Sequence, residues 1–169
     1  LTAFEFFSDL AVRCVIASGD VARPFPDATP FYALLEFEAL SPAIEEQAMQ
    51  VFEQCMEEGW VLNGVMSQNE TQAQNLWRLR EDISETIAKF TPYKNDISVL
   101  ITHVPAFIAD IDAIVTANYP DFDIVWFGHI GDGNLHLNIL KPANLTKDEF
   151  FGKCQVVNKQ VFETVQKYN

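Results

Sequence analysis

The segment Gly128-His129-Ile130-Gly131-Asp132-Gly133-Asn134-Leu135-His136-Leu137-Asn138 gathers two imidazoles and a carboxamide into a short stretch rich in glycine. Asp132-Gly133 is a favoured pair for a two-residue type I′ turn, whose central residues both need positive φ. Such a turn sets His129 directly opposite His136, with Cβ atoms roughly 4.5–5.5 Å apart, and Asn138 projects from the same face. Val125, Phe127 and Leu140 then form an apolar floor behind them. Two imidazoles at that distance can share a metal ion. A catalytic zinc site, however, takes at least three protein ligands, and Asp132 points to the opposite face in this register. Spacing alone therefore supports two readings: two ligands of a metal centre, or a hairpin whose histidines bond to backbone and solvent.

A second chemical signal is a cation in an apolar pattern. Ala73, Leu76, Ile83, Ile87 and Phe90 form the stripe of a helix expected over about 69–89, and Arg80 falls on it. A guanidinium facing a core needs a partner or an anion. Arginine grips carboxylates in bidentate fashion, so Arg80 is either an anion anchor or one half of an internal ion pair. Ser84 follows one turn later on the same side. Lys94 precedes a strand and reads as solvated. His103, in Thr-His-Val-Pro, has the position of a capping residue. Glu45, Glu46, Glu53, Glu57 and Glu58 form the solvated face of a helix, and Trp60, Trp77 and Trp126 read as core or interface. The sequence contains no Ser-His-Asp ordering, phosphate loop or dinucleotide fingerprint.

These residues need elements to hold them. Thr2-Ala3-Phe4-Glu5 has capping-box spacing and predicts a helix to about Ile16. Residues 18–30, with Gly19, Pro24, Pro26 and Pro30, read as a loop. Alternation from Phe31 to Ala39 predicts a strand. Ser41-Pro42 opens a helix that Gly59 ends, and 60–66 reads as a strand. Asn69 caps the helix that carries Arg80. Strands are expected at 95–101, 124–127 and 134–140, a helix from Pro105 to Pro120, and a last helix behind the capping box Thr146–Glu149. The tight turn between the last two strands makes them antiparallel. The fold expected is α+β, a mixed or mostly antiparallel sheet covered by helices.

Composition limits what such a domain does. The 169 residues amount to one domain, and 49% of them are hydrophobic, enough for a true core. No apolar run reaches the ~18 residues of a membrane span. With 11 basic residues against 24 acidic ones, the chain carries −13, which argues against nucleic acid as a partner. An anionic small molecule binds such a chain only where local positive charge prevails. Cys14, Cys55 and Cys154 are widely spaced within helical apolar patterns and read as small core residues.

Three motifs together resemble one family. Gly128-His129-x-Gly131-Asp132-Gly133-Asn134-x-His136 looks like the signature of the C-terminal domain of FAD-linked oxidases, the family that includes glycolate oxidase, D-lactate dehydrogenase and D-2-hydroxyglutarate dehydrogenase. Leu76-Trp77-Arg78-Leu79-Arg80-Glu81-Asp82-Ile83 resembles its Leu-Trp-x-x-Arg-Glu-x-Ile helix, and Tyr93-Lys94-Asn95-Asp96-Ile97-Ser98 its Tyr-Lys-x-Asp-x-Ser strand. Thr2-Ala3-Phe4-Glu5-Phe6 is similar to its opening segment. The resemblance implies a ferredoxin-like α+β substrate (cap) domain over 1–169, laid over a flavin. The implied activity is oxidation of a D-2-hydroxy acid (lactate, glycolate or 2-hydroxyglutarate type) to the 2-oxo acid, with FAD taking the hydride.

The same resemblance makes Arg80 the carboxylate anchor with Ser84 beside it, and Lys94 a second anionic contact. It makes His129 and His136 catalytic metal ligands for Zn or Mn, and Asn138 a substrate or metal-shell group. It also implies an FAD-binding domain ahead of this segment, and a Glu-His-Gly motif after it that supplies a third ligand and a base. The chain is accordingly expected to be a piece of a longer enzyme, inactive alone, free to pair as a homodimer through the face its missing domain would cover. Its expected location is cytoplasmic or peripheral to a membrane, mitochondrial if eukaryotic. The alternative is a non-catalytic metal- or carboxylate-binding module.

Overall fold

Phe4, Phe6 and Phe7 decide how the chain begins. Aromatic side chains suit a pleated, half-buried surface, and Ala3–Ser8 is a strand, β1, not the first turn of a helix. The helix expected from Thr2 starts only at Asp9: α1 spans Asp9–Ile16. The capping-box spacing at Thr2–Glu5 is overridden by pairing on both sides, because β1 lies between β2 (Phe31–Glu36) and β4 (Asp123–His129). Thr2 contributes its amide to the carbonyl of Glu36 instead.

The computed structural model describes residues 1–19 and 21–168; Asp20, within the loop expected over 18–30, and the terminal Asn169 lie outside the described residues. After β2 come α2 (Pro42–Glu57), α3 (Glu70–Glu81), α4 (Ile83–Ala88) and β3 (Tyr93–Ser98). A short 3-10 turn at Ile101–His103 leads into α5 (Val104–Asn118). Then follow β4, β5 (Asn134–Leu140) and α6 (Lys147–Tyr168). The sheet order is β2-β1-β4-β5-β3, and every neighbouring pair is antiparallel. The expected α+β class and antiparallel sheet are therefore found.

Alternation along the strands makes two cores. Phe6, Ile97, Trp126, Leu135, Leu137 and Ile139 face α5 and α6, meeting Phe107, Ile111, Phe150 and Val157. Phe7, Val125, Phe127 and Leu140 face α1, α3 and α4, meeting Val12, Val15, Leu79, Ile83 and Ile87. The second layer carries the residues of interest.

The caps expected at Asn69 and Thr146 are present. Asn69 accepts from the amide of Gln72 (3.0 Å), and Thr146 and Glu149 close a reciprocal capping box. Two expectations are corrected. The helix over 69–89 is interrupted at Asp82, which ends α3 and precedes α4. Residues 60–66 form no strand: Gly59 (φ 72°) turns the chain, the Trp60 amide bonds the Cys55 carbonyl, and Trp60 and Leu62 are exposed with no strand to pair with. Helix α2 buries none of its residues.

Candidate functional site

Glu5, Phe7, Phe127, His129, Asn134, His136, Asn138, Lys94, Asp96 and Ser98 share one face of the sheet, because antiparallel register sets paired residues on the same side. The pairs are Glu5 with His129, His129 with Asn134, Phe127 with His136, Asp96 with His136, and Lys94 with Asn138. His129 and His136 are thus diagonal neighbours, not the directly opposed pair expected from a two-residue turn. The loop, Ile130–Gly133, begins two residues earlier than that turn and ends at the same residue.

Asp132 causes the difference. Its Oδ1 accepts from the amide of Asn134 (3.0 Å), an Asx-type closure that draws Asp132 into the loop. Gly133 follows with φ 73°, where a Cβ would stand 2.0 Å from the carbonyl oxygen of Val99. The loop is tied on both flanks: the Gly131 amide donates to the Phe4 carbonyl, and the Val99 amide donates to the Gly133 carbonyl. The diagonal still brings the imidazoles together, with ring centroids 5.6 Å apart at 79°.

Each imidazole is held by a carboxylate. His129 Nδ1 donates to Glu5 Oε1 (2.7 Å), and His136 Nδ1 donates to Asp96 Oδ1 (2.6 Å). A carboxylate only accepts, so each Nδ1 carries a proton, and in the neutral ring it is Nε2 that offers the lone pair. This is the arrangement in which an outer carboxylate orients a metal-ligating histidine. The two differ in setting: the Glu5 side chain is 7% exposed and that of Asp96 77%.

Arg80, buried on α3, meets the same Glu5: its Nε donates to Oε2 at 2.8 Å. Its guanidinium carbon lies 4.8 Å from the centre of the Phe127 ring, which also packs against His136. Of the two partners a core-facing guanidinium could have, the structure supplies the internal acid. Glu5 engages Nε, so the pair of terminal nitrogens, the edge suited to a carboxylate ligand, is not spent on it.

Arg80, His129 and His136 are therefore brought together with the apolar floor of Phe127 and Val125. Asn138 is buried beside them, its amide donating to the His136 carbonyl (3.2 Å). Lys94 is exposed on β3, next to Asn138 in register. Ser84 is exposed on α4, past the break at Asp82. Neither the Ser84 nor the Lys94 side chain has an ion pair or hydrogen bond among the described residues. His103 donates from Nδ1 to the Tyr168 carbonyl (2.9 Å), a local tie far from this chemistry. A groove of about 420 Å³ between β2 and α3, lined by Glu36, Gln74, Trp77, Arg78 and Glu81, includes none of the site residues.

Glu5 was absent from the sequence-based site. The signal that could have found it is the period-two pattern Phe4/Phe6 against Ala3/Glu5/Phe7, which puts a carboxylate on the inner face of a strand. Among the described residues, no three histidine, cysteine or acidic side chains converge as a metal cage. The pair supplies two donors.

Fold and site define an α+β domain that presents an arginine and two carboxylate-held histidines on one face of an antiparallel sheet. The chain belongs to the family of FAD linked oxidases, C-terminal domain, whose model matches residues 1–167. It is 69% identical over its whole length to D-2-hydroxyglutarate dehydrogenase of Stutzerimonas stutzeri (strain A1501), covering 36% of that protein. Identity is 51%, with the same coverages, to D-2-hydroxyglutarate dehydrogenase of Xanthomonas citri pv. viticola. A putative mitochondrial D-lactate dehydrogenase of Schizosaccharomyces pombe is 34% identical over 82% of the chain and 28% of its own length. The chain thus spans little more than a third of the length of these two D-2-hydroxyglutarate dehydrogenases. No helix among the described residues is long and apolar enough to cross a membrane.

Proposed function

We propose that the chain is the substrate domain of an FAD-dependent dehydrogenase that oxidises a D-2-hydroxy acid to the 2-oxo acid, with D-2-hydroxyglutarate favoured by the names of its relatives. The observation that carries this reading is the grouping of Arg80, His129 and His136 on one sheet face, with both Nδ1 atoms committed to carboxylates. In a chain of −13, Arg80 and Lys94 are local cations on that face. Arg80 receives the substrate carboxylate through its terminal nitrogens, Lys94 contacts the second anionic group, and Asn138 and Ser84 complete the polar lining.

The two Nε2 atoms fit as two ligands of a Zn or Mn ion, which when bound would polarise the substrate hydroxyl and lower its pKa. The remaining ligand and the base come from outside the described residues. The site also fits a cover: His129 is half exposed and Asp96 largely so. A flavin-binding domain in the rest of the polypeptide supplies that cover, and its FAD, when bound, accepts the hydride. Homodimerisation through the exposed apolar side chains on and after α2, Val51, Trp60 and Leu62 among them, belongs to the same proposal. So does a place in the cytoplasm or at a membrane periphery, or in mitochondria for a eukaryotic parent.

The test uses the full-length protein, purified with its flavin and mixed anaerobically with substrate. D-2-hydroxyglutarate should bleach the flavin absorbance and its L-enantiomer should not. Absence of flavin, or a flavin that neither D-2-hydroxyglutarate nor D-lactate reduces, overturns the reading.

A further inference from the structure

Among the described residues, Glu5 is the one side chain hydrogen-bonded to both the arginine and a histidine of the site. Its carboxylate is buried, and its two oxygens are divided between Arg80 Nε (2.8 Å) and His129 Nδ1 (2.7 Å). The carboxylate cannot turn to serve one partner without loosening the other. Arg80 comes from a helix and His129 from a strand, and the two are joined through no other residue among the hydrogen bonds of the described residues. We infer that Glu5 is a positioning residue that fixes the tautomer of His129 while it anchors Arg80, so that the lone pair of His129 Nε2 and the carboxylate-gripping edge of Arg80 are presented together.

Acceptor chemistry requires a carboxylate here. Both partners of Glu5 donate, and only an ionised carboxylate offers an acceptor to each. Burial makes this bond set hard to exchange for water, and the charge of Arg80 compensates the buried anion. An amide in the same place has one acceptor oxygen. With Gln at position 5, that oxygen stays on Arg80 and the amide nitrogen faces His129. The hydrogen bond to His129 is then kept only if the ring moves its proton from Nδ1 to Nε2. The hydrogen bonds survive that exchange, but the nitrogen that would face a metal becomes a donor. His136 offers an internal comparison, because Asp96 is largely exposed and water can take its place. The link to metal and substrate rests on the function proposed above; the tautomer assignment does not.

The experiment compares the full-length protein with its Glu5→Gln and Asp96→Asn variants. Ring-nitrogen-labelled histidine reports each tautomer by NMR, assigned through His129→Gln, and calorimetry with Zn²⁺ reports affinity. The wild type should show His129 protonated at Nδ1, and Glu5→Gln should show it at Nε2, with Zn²⁺ affinity reduced 10–100-fold. Asp96→Asn should cost less than Glu5→Gln. In turnover, Glu5→Gln should lower kcat more than it raises KM, because Arg80 keeps its acceptor. A merely structural carboxylate would lower the melting temperature and leave the tautomer unchanged. The inference is overturned by a wild-type His129 protonated at Nε2, a reading that stands even where the variant fails to fold. It is also overturned by a folded Glu5→Gln with an unchanged tautomer and Zn²⁺ affinity within twofold. Should the wild type oxidise no D-2-hydroxy acid, the proposed function falls while the tautomer result still judges Glu5.

Discussion

His129 and His136 meet across a diagonal of the β4–β5 ladder, their rings 5.6 Å apart and nearly perpendicular, although neither is the other's register partner. Diagonal neighbours on one face of an antiparallel pair lie within reach of aromatic rings. Both rings remain available to one small ligand. His136→Ala in the full-length protein is expected to abolish Zn²⁺ or Mn²⁺ binding by calorimetry and to remove dehydrogenase activity. Retained metal affinity would make the pair structural.

Arg80 should show two separable effects. Arg80→Ala leaves the buried Glu5 carboxylate without its cation, and removing one partner of a buried pair costs about 3–5 kcal/mol. Chemical denaturation measures that loss. Arg80→Lys keeps the charge and loses the planar fork, so KM for the hydroxy acid should rise at least tenfold with a smaller stability loss. An unchanged KM would exclude the anchor role.

The loop tip tests the register. Gly133→Ala places a methyl group against the Val99 carbonyl in a backbone region that alanine avoids, at a cost of about 1–3 kcal/mol. Because Gly131 and Gly133 tie the loop to β1 and to Val99, metal affinity should fall with stability. An equivalent Gly152→Ala change, where nothing stands within 4 Å, should do neither.

Asp112 predicts a pH dependence unconnected with the site. Burial pushes its carboxyl above the usual range, against the lowering effect of the hydrogen bond from Trp126 Nε1 (2.8 Å). A raised native value means that the folded state holds the proton longer, so this group's contribution to stability falls as pH rises from the unfolded value through the native one. Asp112→Asn keeps an acceptor for the indole and removes that penalty. Thermal melts should show the variant gaining over wild type at pH 7 and losing the advantage below about pH 4.

The cysteines should sort by burial. Burial pushes the Cys154 thiol up to about 12, and Cys14 is raised for the same leading reason, while Cys55 on α2 is partly exposed. Iodoacetamide on the native protein should label Cys55 alone, as read by peptide mass spectrometry.

What was legible in the sequence was legible for local reasons. Arg80 stood out because a cation on an apolar stripe demands a partner, and Asn69 and Thr146 because caps act over three residues. The histidine pair was readable as a neighbourhood but not in register: the Asp132 side chain closes the loop, and spacing alone does not show it. Glu5 was hidden because Thr-x-x-Glu fits a helix start equally well. Only pairing with β2 and β4, residues far along the chain, selects the strand. The strand expected at 60–66 failed for the converse reason, since apolar content without a neighbouring edge makes no ladder.

The bond between Glu5 and His129 spans 124 positions of sequence. Closing so distant a contact comes late, after the loops it encloses have lost their freedom. During synthesis the acidic half of this bridge leaves the ribosome first and has no basic-ring partner until nearly all of the domain has followed. A nascent chain that stops short of β4 and β5 cannot hold Arg80, His129 and His136 together, because both histidines lie on those last two strands.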